Sequence, residues 1–188
     1  MVPRILLVRH GVSAHVHDGS WVNAESARRF IEKYDAAGIM EDAPPPHVVE
    51  AAARADVLAA STLPRAIESV QRLAPTRQPL LTPLLREISF ESPNWWPMRL
   101  PIPVWDGIDH MVWGYRIMRR RPTPELERAR EAADWLVSHV GNGSTLLAVT
   151  HGGFRRFLTA ALIDRAWQPD SVVRRHFNWS VWSFAPRH

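Results

Sequence analysis

The sequence has no cysteine among its 188 residues. This absence excludes disulfide bridges, a thiolate nucleophile, and any zinc or iron–sulfur site held by cysteine. At this length and with 46% hydrophobic residues, the chain is long enough to bury a core without such crosslinks. We therefore expect one domain that spans residues 1–188.

Long apolar runs are also missing near the N-terminus. The apolar segment at residues 5–8 has only four residues before Arg9 and His10. A signal peptide or a membrane span needs a longer apolar segment. We therefore expect a cytoplasmic protein with no membrane partner.

Lysine is almost absent, since Lys33 is the only one among 23 basic residues, which face 19 acidic residues. The densest basic run is residues 119–121, and the other arginines are scattered. A nucleic-acid-binding surface usually clusters its charge on one face, whereas short charge runs are often solvated surface. We therefore expect no nucleic-acid partner.

Short apolar segments alternate with helical patterns along the chain. Each apolar segment is too short for a helix and is apolar at every position, as in a strand buried on both faces. Strands alternating with helices predict an α/β fold, a three-layer α/β/α sandwich with a mainly parallel central sheet. The predicted strands are 5–8, 57–60 and 145–149, and the predicted helices are 24–37, 65–73, 124–140 and 154–163. Ser61 and Thr62 are candidate caps for the helix at 65–73.

Residues 89–122 differ from the rest, because prolines and tryptophans alternate there. We expect an irregular insertion with one short helix near 110–118. Long insertions in compact domains are often functional loops or lids. Trp95 and Trp96 either pack in the core or line an apolar substrate pocket.

Polar side chains follow all three predicted strands. The first strand is followed by Arg9-His10-Gly11, the second by Ser61 with Arg65 four residues on, and the third by Thr150-His151-Gly152-Gly153. The carboxyl ends of parallel strands meet at one edge of the sheet, where ligands bind. This topology predicts that two histidines and two arginines lie together there.

This set of residues suits a phosphoryl group. Planar guanidinium groups hold phosphoryl oxygens with paired hydrogen bonds, and the helix N-termini after Ser61 and His151 are expected to add backbone N–H donors. A neutral imidazole is a competent nucleophile, and nearby arginines lower its pKa from the usual value of about 6.5. Phosphate is the predicted ligand.

Together, Arg9-His10-Gly11, the segment from Ser61 to Ala66 and Thr150-His151-Gly152-Gly153 resemble the histidine phosphatase superfamily, which includes phosphoglycerate mutases and small phosphatases. The resemblance implies a phosphoglycerate mutase-like fold and phosphorylation of His10. It also implies that Arg9, Arg65 and His151 bind the phosphoryl group of a small phosphorylated substrate. Neither a metal nor an organic cofactor is expected.

The resemblance also implies a general acid, and Glu87 in Leu85-Arg86-Glu87 matches the usual place. Glu91, Asp106 and Asp109 are alternative acids. The chain departs from the family pattern at Val16, where many members have an asparagine, so one phosphate contact is lost. The usual continuation after the acid is also replaced, so the substrate is not inherited from better-known branches.

Three alternatives remain beside a phosphatase. A phosphoglycerate-mutase-like phosphoryl transferase would use the same residues, and a non-catalytic phosphate- or phosphoprotein-binding module would keep the pocket without turnover. A metal site formed by His10, His15 and His17 is also conceivable, since imidazole suits zinc. No His-Glu-x-x-His motif supports that last alternative.

Overall fold

The computed structural model describes residues 2–88, 99–119, 122–170 and 176–187, with only the backbone of Asp106 and Asp109. The strands are β1 (Arg4–Arg9), β2 (Trp21–Val22), β3 (Val57–Ser61), β4 (Leu80–Thr82), β5 (Leu100–Pro101), β6 (Thr145–Thr150), β7 (Trp167–Pro169) and β8 (Val181–Pro186). The helices are α1 (Ala24–Ala36), α2 (Pro46–Arg54), α3 (Pro64–Leu73), α4 (Ile102–Met118), α5 (Pro124–His139) and α6 (Phe154–Ile163), with a 3₁₀ helix at Pro83–Leu85.

Six of these strands form the central sheet, in the order β4-β3-β6-β1-β8-β7. The strands β4, β3, β6 and β1 are parallel to one another, and β8 and β7 extend the sheet by antiparallel pairing. This arrangement confirms the predicted α/β fold with a mainly parallel sheet.

Alternate residues of the central strands enter separate hydrophobic cores on the two faces of the sheet. In β6, Leu146 and Ala148 lie in the core shared with α5 and α6, whereas Leu147 and Val149 lie in the core shared with α2 and α3. All four side chains are fully buried. A strand covered on both faces has no polar alternation, which explains its continuous apolar sequence.

The predicted strands and helices all form, and each of the three strands extends by at least one residue beyond its predicted apolar segment. Sequence patterning missed β8, in which the buried Trp182 and Phe184 alternate with less buried residues. It also did not predict α2 or the short strands β2, β4, β5 and β7. Strands of two or three residues carry no measurable alternation, and α2 begins at Pro46 without a side-chain cap. These elements therefore lacked the usual signals of patterning and capping.

The described part of the 89–122 insertion is more regular than predicted. It contains β5 and the 17-residue helix α4, so the predicted helix near 110–118 is present but begins earlier, at Ile102. Pro101 caps α4 and Pro103 lies in its first turn, where no backbone N–H is needed. The prolines thus begin the helix rather than interrupt it. Glu91, Trp95 and Trp96 lie outside the described residues.

The helix α1 and the helix α4 are joined by a small structure of their own. Trp21 and Val22 pair with Pro101 and Leu100 in a separate two-stranded sheet. Trp105 of α4 packs in a small apolar cluster with two alanines of α1, and its Nε1–H donates to the Val22 carbonyl oxygen at 3.0 Å. These contacts hold the two helices together.

Two further sequence predictions concern the basic run at residues 119–121 and the lack of a membrane span. Arg119 is exposed at the end of α4, and its guanidinium lies 5.5 Å from the centre of the Tyr115 ring. Arg120 and Arg121 lie outside the described residues. Within the described ranges, no helix is both long and apolar enough to cross a membrane. The cytoplasmic location stays a prediction.

Candidate active site

Backbone pairing brings the ends of β1 and β6 into register. Arg9 is opposite Thr150 in the parallel ladder, and the backbone N–H of His10 donates to the Thr150 carbonyl oxygen at 3.1 Å. The rings of His10 and His151 lie next to each other, with centroids 5.1 Å apart. The structure therefore brings the two predicted histidines together at the carboxyl edge of the sheet.

The hydrogen bonds of His10 define its tautomer. Its Nδ1 lies 2.7 Å from the Gly11 carbonyl oxygen, which can only accept, so Nδ1 carries the hydrogen. The lone pair is then on Nε2, which accepts from Arg65 Nε at 3.3 Å. Burial, followed by the charge of Arg65, holds the pKa of His10 well below its usual value. The ring is therefore neutral at neutral pH, with an available lone pair on Nε2.

Arg65 is completely buried near the start of α3. One terminal nitrogen donates to the Tyr34 carbonyl oxygen at 2.9 Å, and the other lies 2.9 Å from Asp35 Oδ1. Its guanidinium also lies over the Tyr34 ring, 4.4 Å from the centroid. Helix α1 thus holds the guanidinium against His10 and limits its choice of rotamer.

Arg9 extends along the same edge. Its Nη1 donates to the His176 carbonyl oxygen, while its Nε is buried without a hydrogen-bond partner among the described residues. Gly152 packs against this side chain so closely that a Cβ would lie 3.2 Å from Arg9 Cζ. The glycine after His151 therefore makes room for the guanidinium.

The His151 ring is fully buried and has one partner. Its Nε2 lies 2.8 Å from Ser61 Oγ, and its Nδ1 has no hydrogen-bond partner in the described part of the chain. Burial and then the charge of Arg65 lower its pKa well below the usual value. Ser61 does not cap α3, contrary to the sequence prediction, because the N-cap is Leu63 without a side-chain cap. Its hydroxyl instead positions His151.

Glu87 follows the 3₁₀ helix and contacts the N-terminus of α6. Its carboxylate accepts from the backbone N–H groups of Phe154 at 2.8 Å, Ile88 at 3.1 Å and Gly153 at 3.3 Å. The sequence predicted that the N-terminus of α6 would offer such groups to phosphate. Two of them are instead occupied by Glu87, since a carboxylate favours the positive end of a helix.

Arg128 of α5 holds the backbone that carries Glu87. It donates to the carbonyl oxygens of Arg86 at 2.6 Å, Glu87 at 3.2 Å and Leu84 at 3.3 Å. Its guanidinium also lies 4.3 Å from the centre of the Phe154 ring. Arg128 therefore links the segment before Glu87 to the start of α6.

A cavity of about 430 Å³ opens beside these residues. Its lining includes Arg9, Arg65 and Glu87 together with side chains of α1 and α4. His10 and His151 are not in the lining, but Arg65, which is, contacts His10. Val16, which departs from the family pattern, does not line this cavity and is 65% exposed.

A model of the histidine phosphatase superfamily (branch 1) matches residues 47–182. The chain belongs to this superfamily. Membership supports a role in phosphatase or phosphoryl-transfer chemistry. A search of curated proteins finds no sequence match.

Solved structures of histidine phosphatase type share the fold. A phosphoserine phosphatase from Entamoeba histolytica, in complex with phosphoserine, superposes with a TM-score of 0.58 at 14% identity, covering 98% of this chain and 91% of that one. A mycobacterial glucosyl-3-phosphoglycerate phosphatase superposes with a TM-score of 0.53 at 19% identity, covering 86% and 80%. These likenesses extend over most of this chain and concern its fold.

Sequence reasoning missed the part that two residues play in this candidate site. Tyr34 and Asp35 were expected only on a helix that packs on the sheet, yet both line the cavity and hold Arg65. Burial raises the pKa of the Tyr34 phenol, so it stays protonated. Neither residue follows a strand, so the strand-end signal that revealed His10 and His151 was absent for them.

The alternative metal site is not formed by the described residues. The His15 ring lies 4.7 Å and the His17 ring 5.4 Å from the Phe30 ring, whereas His10 faces His151. No group of three or more histidine, aspartate or glutamate side chains in the described ranges is arranged to hold a metal. The side chains of Asp106 and Asp109, two alternative acids, lie outside the described part of the chain.

Proposed function

We propose that this histidine phosphatase hydrolyses a small phosphomonoester through a covalent phosphohistidine on His10, without a metal or organic cofactor. The observation that carries the proposal is the neutral, buried His10, whose Nδ1–H is bonded to a carbonyl oxygen while Nε2 keeps its lone pair beside Arg65. A nucleophile and a fixed cation next to it are the two parts that phosphoryl transfer requires.

In the first step, His10 Nε2 attacks the phosphorus atom and the bond from phosphorus to the ester oxygen breaks. Arg65 moves its Nε–H from the imidazole to a phosphoryl oxygen. The buried nitrogens without protein partners, Arg9 Nε and His151 Nδ1, provide further places for phosphoryl oxygens. Glu87, which lines the cavity, gives a proton to the departing oxygen.

In the second step, a water molecule attacks the phosphorus atom and the bond to His10 Nε2 breaks. The water gives one proton to Glu87, so inorganic phosphate leaves and the acid is restored. Ser61 keeps the His151 ring in place throughout, because its hydroxyl lies 2.8 Å from Nε2. The solved phosphatase that holds phosphoserine supports a small phosphorylated substrate for this fold.

The test compares the wild-type protein with His10→Ala on phenyl phosphate, O-phosphoserine and 3-phosphoglycerate, with and without a chelator. We expect phosphate release by the wild type in both conditions, and an acid-labile phosphoenzyme by mass spectrometry that the variant does not form. A matched control is His47→Ala, which changes an exposed histidine of α2 and is expected to leave turnover unchanged.

Other outcomes would replace this proposal. Exchange of phosphate between isomeric substrates without free phosphate would indicate a mutase. Binding of a phosphorylated ligand without any phosphoenzyme would indicate a binding module.

A further inference from the structure

The cavity has more apolar wall than a phosphoryl group requires. Beyond Arg9, Arg65 and Glu87, its lining includes six apolar side chains of α1 and α4. We call these residues the α1–α4 wall: Phe30, Ile31, Ile102, Pro103, Trp105 and Trp113. An apolar wall next to a few polar groups is typical of a site that takes an apolar ligand.

Contacts within the protein hold this wall in place. Trp105 is 1% exposed and is held by its hydrogen bond to the Val22 carbonyl oxygen. The pairing of β2 with β5 joins the segments that precede α1 and α4. An ordered surface loses little conformational entropy when a ligand binds. Three members of the wall are aromatic, namely Phe30, Trp105 and Trp113, and aromatic rings pack well against planar groups.

Trp113 adds a polar group to the wall. Its side chain lines the cavity and is buried, yet its Nε1–H has no acceptor among the described residues. Buried tryptophan N–H groups usually have a partner, and an unmatched buried donor costs free energy. A ligand atom in the cavity would supply the missing acceptor.

The polar groups of the described lining favour an oxygen acceptor over a cationic group. Arg156 and His176 line the same cavity, and the charge of Arg156 contributes, after burial, to the lowered pKa of His176. Among the described residues of the lining, the two carboxylates have partners in the protein, since Asp35 pairs with Arg65 and Glu87 accepts backbone N–H groups. These described carboxylates are thus already bound within the protein, which disfavours them as partners for a cationic substrate group.

We infer that the substrate is a phosphomonoester with a planar, apolar organic part, which lies along the α1–α4 wall and accepts a hydrogen bond from Trp113 Nε1–H. This inference rests on the proposed phosphatase function and assigns its substrate class. Trp113 then acts in specificity, through contact with the organic part, and has no role in the transfer of the phosphoryl group.

The first experiment compares two esters of primary alcohols, 2-(1-naphthyl)ethyl phosphate and O-phosphoserine, so that leaving-group basicity is similar. Each buried methylene contributes roughly a fourfold change in affinity. We therefore expect kcat/KM to be at least about tenfold higher for the naphthyl ester. Equal or better turnover of phosphoserine would overturn the substrate class while leaving the phosphatase function intact. No phosphate release from either ester would instead overturn the phosphatase function, and the substrate class with it.

The second experiment tests the hydrogen bond by calorimetry on the His10→Ala protein, which binds without turnover. It compares 4-methylumbelliferyl phosphate, which carries a ring carbonyl, with 2-naphthyl phosphate, which does not. Adding Trp113→Phe is expected to weaken binding of the umbelliferyl ester relative to the naphthyl ester by about two- to tenfold. An equal loss for both esters would overturn the assigned hydrogen bond.

Two further variants provide a control and an independent test of the wall. Trp135→Phe changes a half-buried tryptophan of α5 that does not line the cavity, and it is expected to change neither affinity. Ile31→Thr places a hydroxyl in the α1–α4 wall, on the partly exposed helix α1. It tests the apolar character of the wall even if Trp113→Phe does not fold. It is expected to lower the ratio of naphthyl to phosphoserine turnover, and an unchanged ratio would contradict the apolar site.

Discussion

The phosphate end of the site, formed by His10, Arg65 and His151, is built differently from the α1–α4 wall. These three residues are each no more than 1% exposed, and they follow strands that are neighbours in the central sheet. The α1–α4 wall instead comes from two segments far apart in the chain, joined by two-residue strands and one buried tryptophan. The groups proposed to transfer phosphate thus lie at the ends of central strands, and the groups proposed to contact the organic part lie on helices outside the central sheet.

The largest expected effect is a fall in kcat when a residue of the phosphate end is changed. Arg65→Met removes the cation beside His10 Nε2, so we expect kcat to fall by about 10²- to 10³-fold, as for loss of one preorganised donor. Steady-state kinetics on the preferred ester measures this change. Arg72→Met on the same helix is the control, because Arg72 donates to the Met40 and Asp42 carbonyl oxygens outside the cavity. If Arg65→Met raised KM and left kcat unchanged, Arg65 would contribute only to binding of the substrate ground state.

The second prediction concerns pH and the burial of the phosphate end. The pKa values of His10 and His151 are lowered in the folded protein, so below pH about 6.5 the unfolded chain binds protons that the folded chain does not. The free energy of unfolding should therefore fall as the pH drops below that value, by up to about 1.4 kcal/mol per pH unit for each histidine. Above it, both histidines are neutral in either state and this loss is absent.

Urea unfolding of the wild type and of His10→Gln, at pH 8 and between pH 6.5 and 5.5, measures this difference. In the variant, the free energy of unfolding should fall less steeply as the pH is lowered, because only His151 and the remaining titratable groups contribute. Equal slopes in the two proteins would contradict a buried neutral His10.

The smallest expected effect is a rise in KM when Trp105 of the α1–α4 wall is changed. Trp105→Phe keeps an aromatic ring but removes the hydrogen bond to the Val22 carbonyl oxygen, which joins α4 to β2. We expect KM for an aromatic ester to rise about two- to tenfold, with kcat nearly unchanged, because the phosphate end does not depend on this contact. Trp135→Phe serves as the control. A fall in kcat at constant KM would show that the wall also positions the reacting groups.

Much of the phosphate end was predictable because its signal is local. A fully apolar run such as that before Thr150 predicts a strand buried on both faces, and parallel strands end at one edge. From these two facts alone, Arg9, His10 and His151 were expected to lie together. Arg65 followed from its place one turn into the helix after Ser61.

The α1–α4 wall was not predictable in this way. The prolines of the insertion were interpreted as breaks, whereas Pro101 and Pro103 begin α4. The role of α1 was also missed, since Tyr34 and Asp35 act through contacts with Arg65, which lies 30 or more positions away. No short-range pattern encodes a contact of that separation.

The sequence by itself determined the α/β class, three strands of the central sheet with the helices that follow two of them, and the types of residue at the ends of those strands. Periodicity and strand-end position are local properties of the chain, so they can be read without coordinates. Only the tertiary structure decided which nitrogen of His10 has the lone pair, which donors are bound to Glu87, and which donors are without partners. Those features depend on distances of a few ångströms between distant segments, and these distances arise only when the cores on both faces of the sheet are packed.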